Sequence, residues 1–150
     1  MRATFAAALV LLLAALPACN KPLTIEQQVI ATIRQMEERI ENGERRPFMK
    51  FVAEDFQGQD EMITRDQLRA LVIFQLNHHQ RLHAQLFPIR VLDTGDGTAT
   101  ATFRALVTGG PRWIPESGQV YDFETWWRRD DDDWVLRKAN WEPVLLDEAL

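Results

Sequence analysis

The stretch Gln119–Trp141, QVYDFETWWRRDDDDWVLRKANW, constrains the fold more than any other part of the chain. Two runs rich in aromatic and β-branched residues flank the acidic, turn-prone Asp130–Asp133, which is the pattern of a long β-hairpin. Trp126, Trp127, Trp134 and Trp141 all fall within it, and only Trp113 lies elsewhere. A lone hairpin cannot hide that much aromatic surface from water. The rest of the chain must supply the cover. An even-numbered turn centred on Asp131-Asp132 puts Phe123, Thr125 and Trp127 on one face with Trp134, Leu136 and Asn140. Asp122, Glu124, Trp126 and Arg128 then share the other with Val135, Arg137, Ala139 and Trp141. The four adjacent aspartates read as a solvated hairpin tip, because a calcium loop would need a glycine turn and spaced ligands.

At 150 residues there is room for one domain with a proper core. The beginning of the chain stands apart from it. Arg2 supplies a positive charge, Phe5 to Leu16 is an unbroken apolar run, and a small residue follows at Ala18, as in an export signal. The run is about 12 residues where a membrane-spanning helix needs about 20, so the sequence predicts no permanent transmembrane anchor. Leu16-Pro17-Ala18-Cys19 resembles the bacterial lipobox, and that resemblance implies a lipid on the Cys19 thiol and cleavage just before it. The alternative is a free thiol beside an ordinary cleavage site. Cys19 is the sole cysteine, so no intramolecular disulfide is expected, and lipidation accounts for the odd count. Several acyl chains make a stable anchor. Asn20 after the cysteine implies, by the same resemblance, the periplasmic face of the outer membrane. The expected organisation is a signal peptide over 1–18, a lipidated tether over 19–23 and one domain over 24–150. Removing residues 1–18 leaves 16 basic against 22 acidic residues, a formal charge of −6. An acidic domain is not drawn to nucleic acid, so the expected partners are the membrane, a small apolar ligand, a second copy or an envelope protein.

Within the domain, Thr24-Ile25-Glu26-Gln27 fits a capping box, and Ile25, Val29, Ile33, Met36 and Ile40 form one apolar stripe. This predicts a first helix ending at Asn42-Gly43. Pro47 is placed to start a short second helix, with Phe48, Phe51, Val52 and Phe56 at helical spacing. Thr64-Arg65-Asp66-Gln67 is a second capping box and predicts a third helix to about His79. His78, His79 and His83 are the only histidines. Without further ligands at metal-binding spacing they read as solvated helix-end residues, and the sequence carries no cofactor or metal motif.

From Gln85 the period changes to two. Gln85, Phe87, Ile89 and Val91 alternate with Leu86, Pro88, Arg90 and Leu92, which predicts a strand whose Pro88 belongs to an edge or a bulge. After the turn Asp93–Gly97, Ala99, Ala101, Phe103, Ala105 and Val107 alternate with mostly polar residues as a second strand. Three helices then pack on a curved antiparallel sheet of about four strands, an α+β arrangement.

The order of elements, with Phe51-Val52-Ala53-Glu54-Asp55-Phe56, Thr64-Arg65-Asp66-Gln67-Leu68, Gly97-Thr98-Ala99-Thr100-Ala101 and the terminal pattern Phe123–Trp127 to Trp134-Val135-Leu136, resembles the nuclear transport factor 2-like superfamily, in particular its SnoaL-like branch. The resemblance implies a cone-shaped, cystatin-like roll with a pocket at its open end. It also implies two kinds of member: isomerases, cyclases or dehydratases with an acid or base in the cone, and noncatalytic binding modules. The catalytic candidates here are Asp60, Tyr121 and Asp122; Glu124 and Asp122 also read as cross-strand ion pairs with Arg128, Arg137 or Arg104. Phe48, Phe51, Trp113, Trp127 and Trp134 are the expected pocket lining. Trp126, Arg128, Arg137 and Trp141 form the mixed face expected to meet a partner. The reading favoured is a tethered, noncatalytic domain that binds a small apolar or amphipathic ligand or a partner protein. The alternatives are an isomerase or hydro-lyase, and a structural or assembly lipoprotein.

Overall fold

The computed structural model describes residues 21–79, 81–110 and 117–145. Both capping boxes form. Helix α1, Ile25–Glu41, starts where the Thr24 hydroxyl accepts from the Gln27 amide and the Gln27 side chain accepts from the Thr24 amide. Its stripe Val29, Ile33 and Met36 is buried. Helix α3, Arg65–His78, starts the same way at Thr64 and Gln67, and the chain turns extended at His79.

The second helix is shorter than its phenylalanine spacing predicts. Helix α2 is only Arg45–Met49, and Val52–Gly58 is strand β1, parallel to the last strand of the chain. Helical spacing and buried strand positions coincide over so short a run, and pairing with the sheet decides the outcome. Phe56 thus enters the core from a strand. A two-residue strand β2, Ile63–Thr64, pairs with the end of β1.

The edge run is also divided, into β3, Leu82–Leu86, and β4, Arg90–Gly95. Both pair with β5, Thr98–Gly109, which continues through β6, Ser117–Asp130, to β7, Asp133–Pro143. Leu86 pairs with Ala105 and Arg90 with Thr102, so Phe87, Pro88 and Ile89 oppose only Phe103 and Arg104. The extra residue is a bulge at the proline, which has no N–H to give the ladder. Leu82, Ala84 and Leu86 therefore face inward before it, and Ile89 and Val91 pack on the core after it. This corrects the expected row of Gln85, Phe87, Ile89 and Val91. Among the described residues the sheet has seven strands, in the order β2-β1-β7-β6-β5-β3 with β4 beside β5, rather than about four.

The hairpin carries a second bulge. Asp130 pairs with Asp133 and Trp127 with Leu136, but Trp126 pairs with Lys138. Arg137 is the additional residue. Beyond it every side chain of β7 changes face, so Ala139 and Trp141 join Phe123, Thr125 and Trp127, while Asn140 faces away. The uninterrupted hairpin had placed Trp141 on the outer face.

The narrow end of the resulting cone is the core proper. Val29 and Ile33 of α1 pack there with Phe56, Trp127, Trp134 and Leu136. Ala99 and Ala101, each 1% exposed, keep the β5 wall thin enough for α1 to approach. The indoles are not left unpaired: Trp127 Nε1 donates to the Thr125 hydroxyl at 2.9 Å, which donates to the Ala101 carbonyl at 2.8 Å. Trp134 Nε1 donates to Gln28 at 3.0 Å.

Candidate functional site

Between α1, α3 and the concave sheet lies a cavity of about 630 Å³. That volume is typical of small-molecule sites. Thr125, Trp127 and Leu136 close its inner end, while Leu71, Gly118 and Gln119 are exposed at the other. The floor is aromatic. Phe103, Phe123 and Trp141 stand in register on β5, β6 and β7. Phe103 and Phe123 stack with ring centroids 5.1 Å apart, and Phe123 and Trp141 at 6.3 Å. Tyr121 meets Phe123 edge-on at 6.2 Å.

The cover is α3. It contributes Leu68, Leu71, Val72 and Gln75 to the cavity, yet Val72 is its only buried residue. His79, just past its end, also lines the cavity. Its imidazole lies against Gly109 so closely that a Cβ there would collide with the ring. Glycine at 109 is what admits the histidine to the wall.

Glu37 is the carboxylate of the lining, on α1 between Ile33 and Ile40. Its side chain is 16% exposed and accepts from Arg34 Nη1 at 2.9 Å. Thus Glu37, His79 and Tyr121 share one apolar chamber.

Of the expected site residues, Phe48, Trp127 and Tyr121 line the cavity, and Trp141 joins them through the bulge. Phe51 and Trp134 pack in or against the core instead. Asp60 stands outside, 80% exposed, where it accepts from Asn140 and pairs with Lys138. Gln59, Asp60 and Glu61 have left-handed backbone conformations, and Gln59 holds them to β7 by bonding both the amide and the carbonyl of Trp141. Asp122 lies on the convex face in a two-pronged pair with Arg104, at 2.7 and 3.0 Å. That guanidinium holds the Asp122 carboxyl below its usual range. These placements remove Asp60 and Asp122 from the cavity chemistry. Cys19 and Trp113 lie outside the described residues.

The mixed convex face is organised by ion pairs. Arg128 grips Asp55 at 3.0 and 3.2 Å, Arg137 approaches the same carboxylate at 4.0 Å, and the Lys138 ammonium sits 4.9 Å from the Trp126 ring centroid. The first of these bonds depresses the Asp55 carboxyl below its usual range.

Two titratable cavity residues escaped the sequence reading. Glu37 stands four after Ile33 and three before Ile40, the same spacing that marks the buried stripe, so its pattern carried the signal. His79 gave none, because only the pairing of β3 with β5 brings Gly109 to it.

No protein-family model matches this chain, and no curated protein sequence does. Solved structures match its fold. A nuclear transport factor 2-like protein with a cystatin-like fold from Novosphingobium aromaticivorans gives a TM-score of 0.67 at 16% identity, covering 81% of this chain and 84% of that one. A protein provisionally described as a dehydratase of the same family, from Streptomyces avermitilis, gives 0.68 at 18% identity over 80% of this chain and 96% of that one. Another from Novosphingobium aromaticivorans, provisionally described as a scytalone dehydratase, gives 0.68 at 7% identity over 79% and 83%. The chain has the nuclear transport factor 2-like, cystatin-like fold, and at these identities the likeness extends to the fold alone.

Proposed function

We propose that this is a lipid-anchored cell-envelope domain whose cone binds a small apolar or amphipathic ligand. The observation that carries the binding reading is the 630 Å³ chamber with its aromatic floor and few polar groups. Such a lining supplies affinity by burying hydrocarbon, and its isolated polar groups orient the ligand. A neutral fluorescent probe, N-phenyl-1-naphthylamine, tests it. Wild-type protein binds the probe saturably, and Val107→Trp, which narrows the cavity near its open end, weakens binding about tenfold or more. Equal binding by a folded Val107→Trp variant would place the probe elsewhere and reject the reading.

The anchor rests on the Leu16–Cys19 pattern. Cys19→Ala is expected to move the protein from the membrane fraction to the soluble one. Retention of the variant in the membrane fraction would remove Cys19 as the anchor.

A second reading, an isomerase or hydro-lyase, is favoured by one observation: Glu37, His79 and Tyr121 reach the same chamber. A carboxylate, an imidazole and a phenol are the groups that move protons at an apolar carbon framework. In this form Tyr121 is the proton donor, and Glu37 or His79 the acceptor.

A further inference from the structure

We infer that the chamber selects an apolar amine, a hydrocarbon or ring body with a protonated amino head, over the corresponding carboxylate. This rests on the ligand-binding reading and names its ligand class. Among the described residues that line the chamber, Glu37 is the only carboxylate, and no lysine or arginine accompanies it. Arg34, which pairs with it, is not part of the lining and is 48% exposed. It engages Oε2 of Glu37, and Oε1 makes no hydrogen bond among the described residues. An ammonium entering the chamber therefore meets a carboxylate with accepting capacity, and a charge-assisted bond of this kind is stronger than a neutral one.

A carboxylate ligand meets the reverse. It would lose water, find no fixed guanidinium or ammonium in the wall and lie in the field of Glu37, which disfavours its charged form. The imidazole of His79, the amide of Gln75 and the hydroxyl of Tyr121 offer hydrogen bonds to either head group. They do not supply the discrimination; Glu37 does. Selection of this kind works as much by rejecting the wrong charge as by attracting the right one.

Three ligands of equal chain length separate the parts: decylamine, 1-decanol and decanoate, titrated calorimetrically at monomeric concentrations and neutral pH. The expected order is amine tightest, then alcohol, then carboxylate, with amine and carboxylate about tenfold or more apart. Glu37→Gln is expected to remove most of the advantage of the amine over the alcohol. Decanoate binding as tightly as decylamine, or an amine preference that survives undiminished in Glu37→Gln, would overturn the inference. The wild-type comparison stands without the variant, so a poorly folded Glu37→Gln does not decide it. Binding of none of the three rejects the ligand reading itself, whereas binding of the alcohol with no charge preference rejects only the selection.

Discussion

Single residues decide where charge lies in this domain. Glu37 is inside because it shares the helical spacing of Ile33 and Ile40, while Asp55, Asp60 and Asp122 are held outside by partners on the strands of the sheet. Asp55 gives the most direct test of these convex-face pairs. Its hydrogen bond from Arg128 lowers its folded-state pKa. A carboxyl depressed on folding stabilises the protein above its unfolded value, about 3.9, and that contribution is lost as pH falls through the lower folded value. The carboxylate is 55% exposed and Arg128 37%, so solvent screening limits the pair to at most about 1 kcal/mol. Asp55→Asn is expected to cost a few tenths to about 1 kcal/mol in urea unfolding at pH 7, and to lose less stability than wild type between pH 5 and pH 3. Identical acid slopes in the two proteins would remove the pair as a source of the acid sensitivity. The residue scale is also where the sequence was most silent. Nothing near His79 in the chain announces Gly109, which comes beside it only through sheet pairing.

At the scale of elements, local rules were reliable until the sheet overrode them. Both capping boxes set helix starts at Thr24 and Thr64, because the bonds that define them lie within three residues of sequence. Strand faces are different, since one extra residue reverses all that follow. Pro88 announced its bulge by lacking an N–H. Arg137 did not, and Trp141 went to the cavity floor instead of the outer face. The phenylalanines from Phe48 to Phe56 show the same limit in another form. Their helical spacing suits α2, yet from Val52 the backbone gains more by pairing with β7, where Val52 meets Leu136. A parallel partner more than eighty residues away leaves no local trace.

For the whole molecule, the aromatic excess of the last third is resolved by a division of labour. Trp127 reaches from the sealed core to the inner cavity wall, Trp134 is sealed with α1, Trp141 paves the floor, and Trp126 stays on the convex face under Lys138. The cone was legible from the order of its elements, but the cavity's contents were not, since they depend on two bulges and one glycine. The central claim is that ligands enter this cone. It is tested most directly by titrating 1-decanol into protein with labelled Ile, Leu and Val methyl groups and following their NMR shifts. Saturable changes are predicted at Ile33, Ile40, Leu71, Leu82 and Val107, which line the chamber, with Val135 on the opposite face unmoved. Shifts centred on Val135 and the Trp126 face, with the chamber methyls unchanged, would contradict the account.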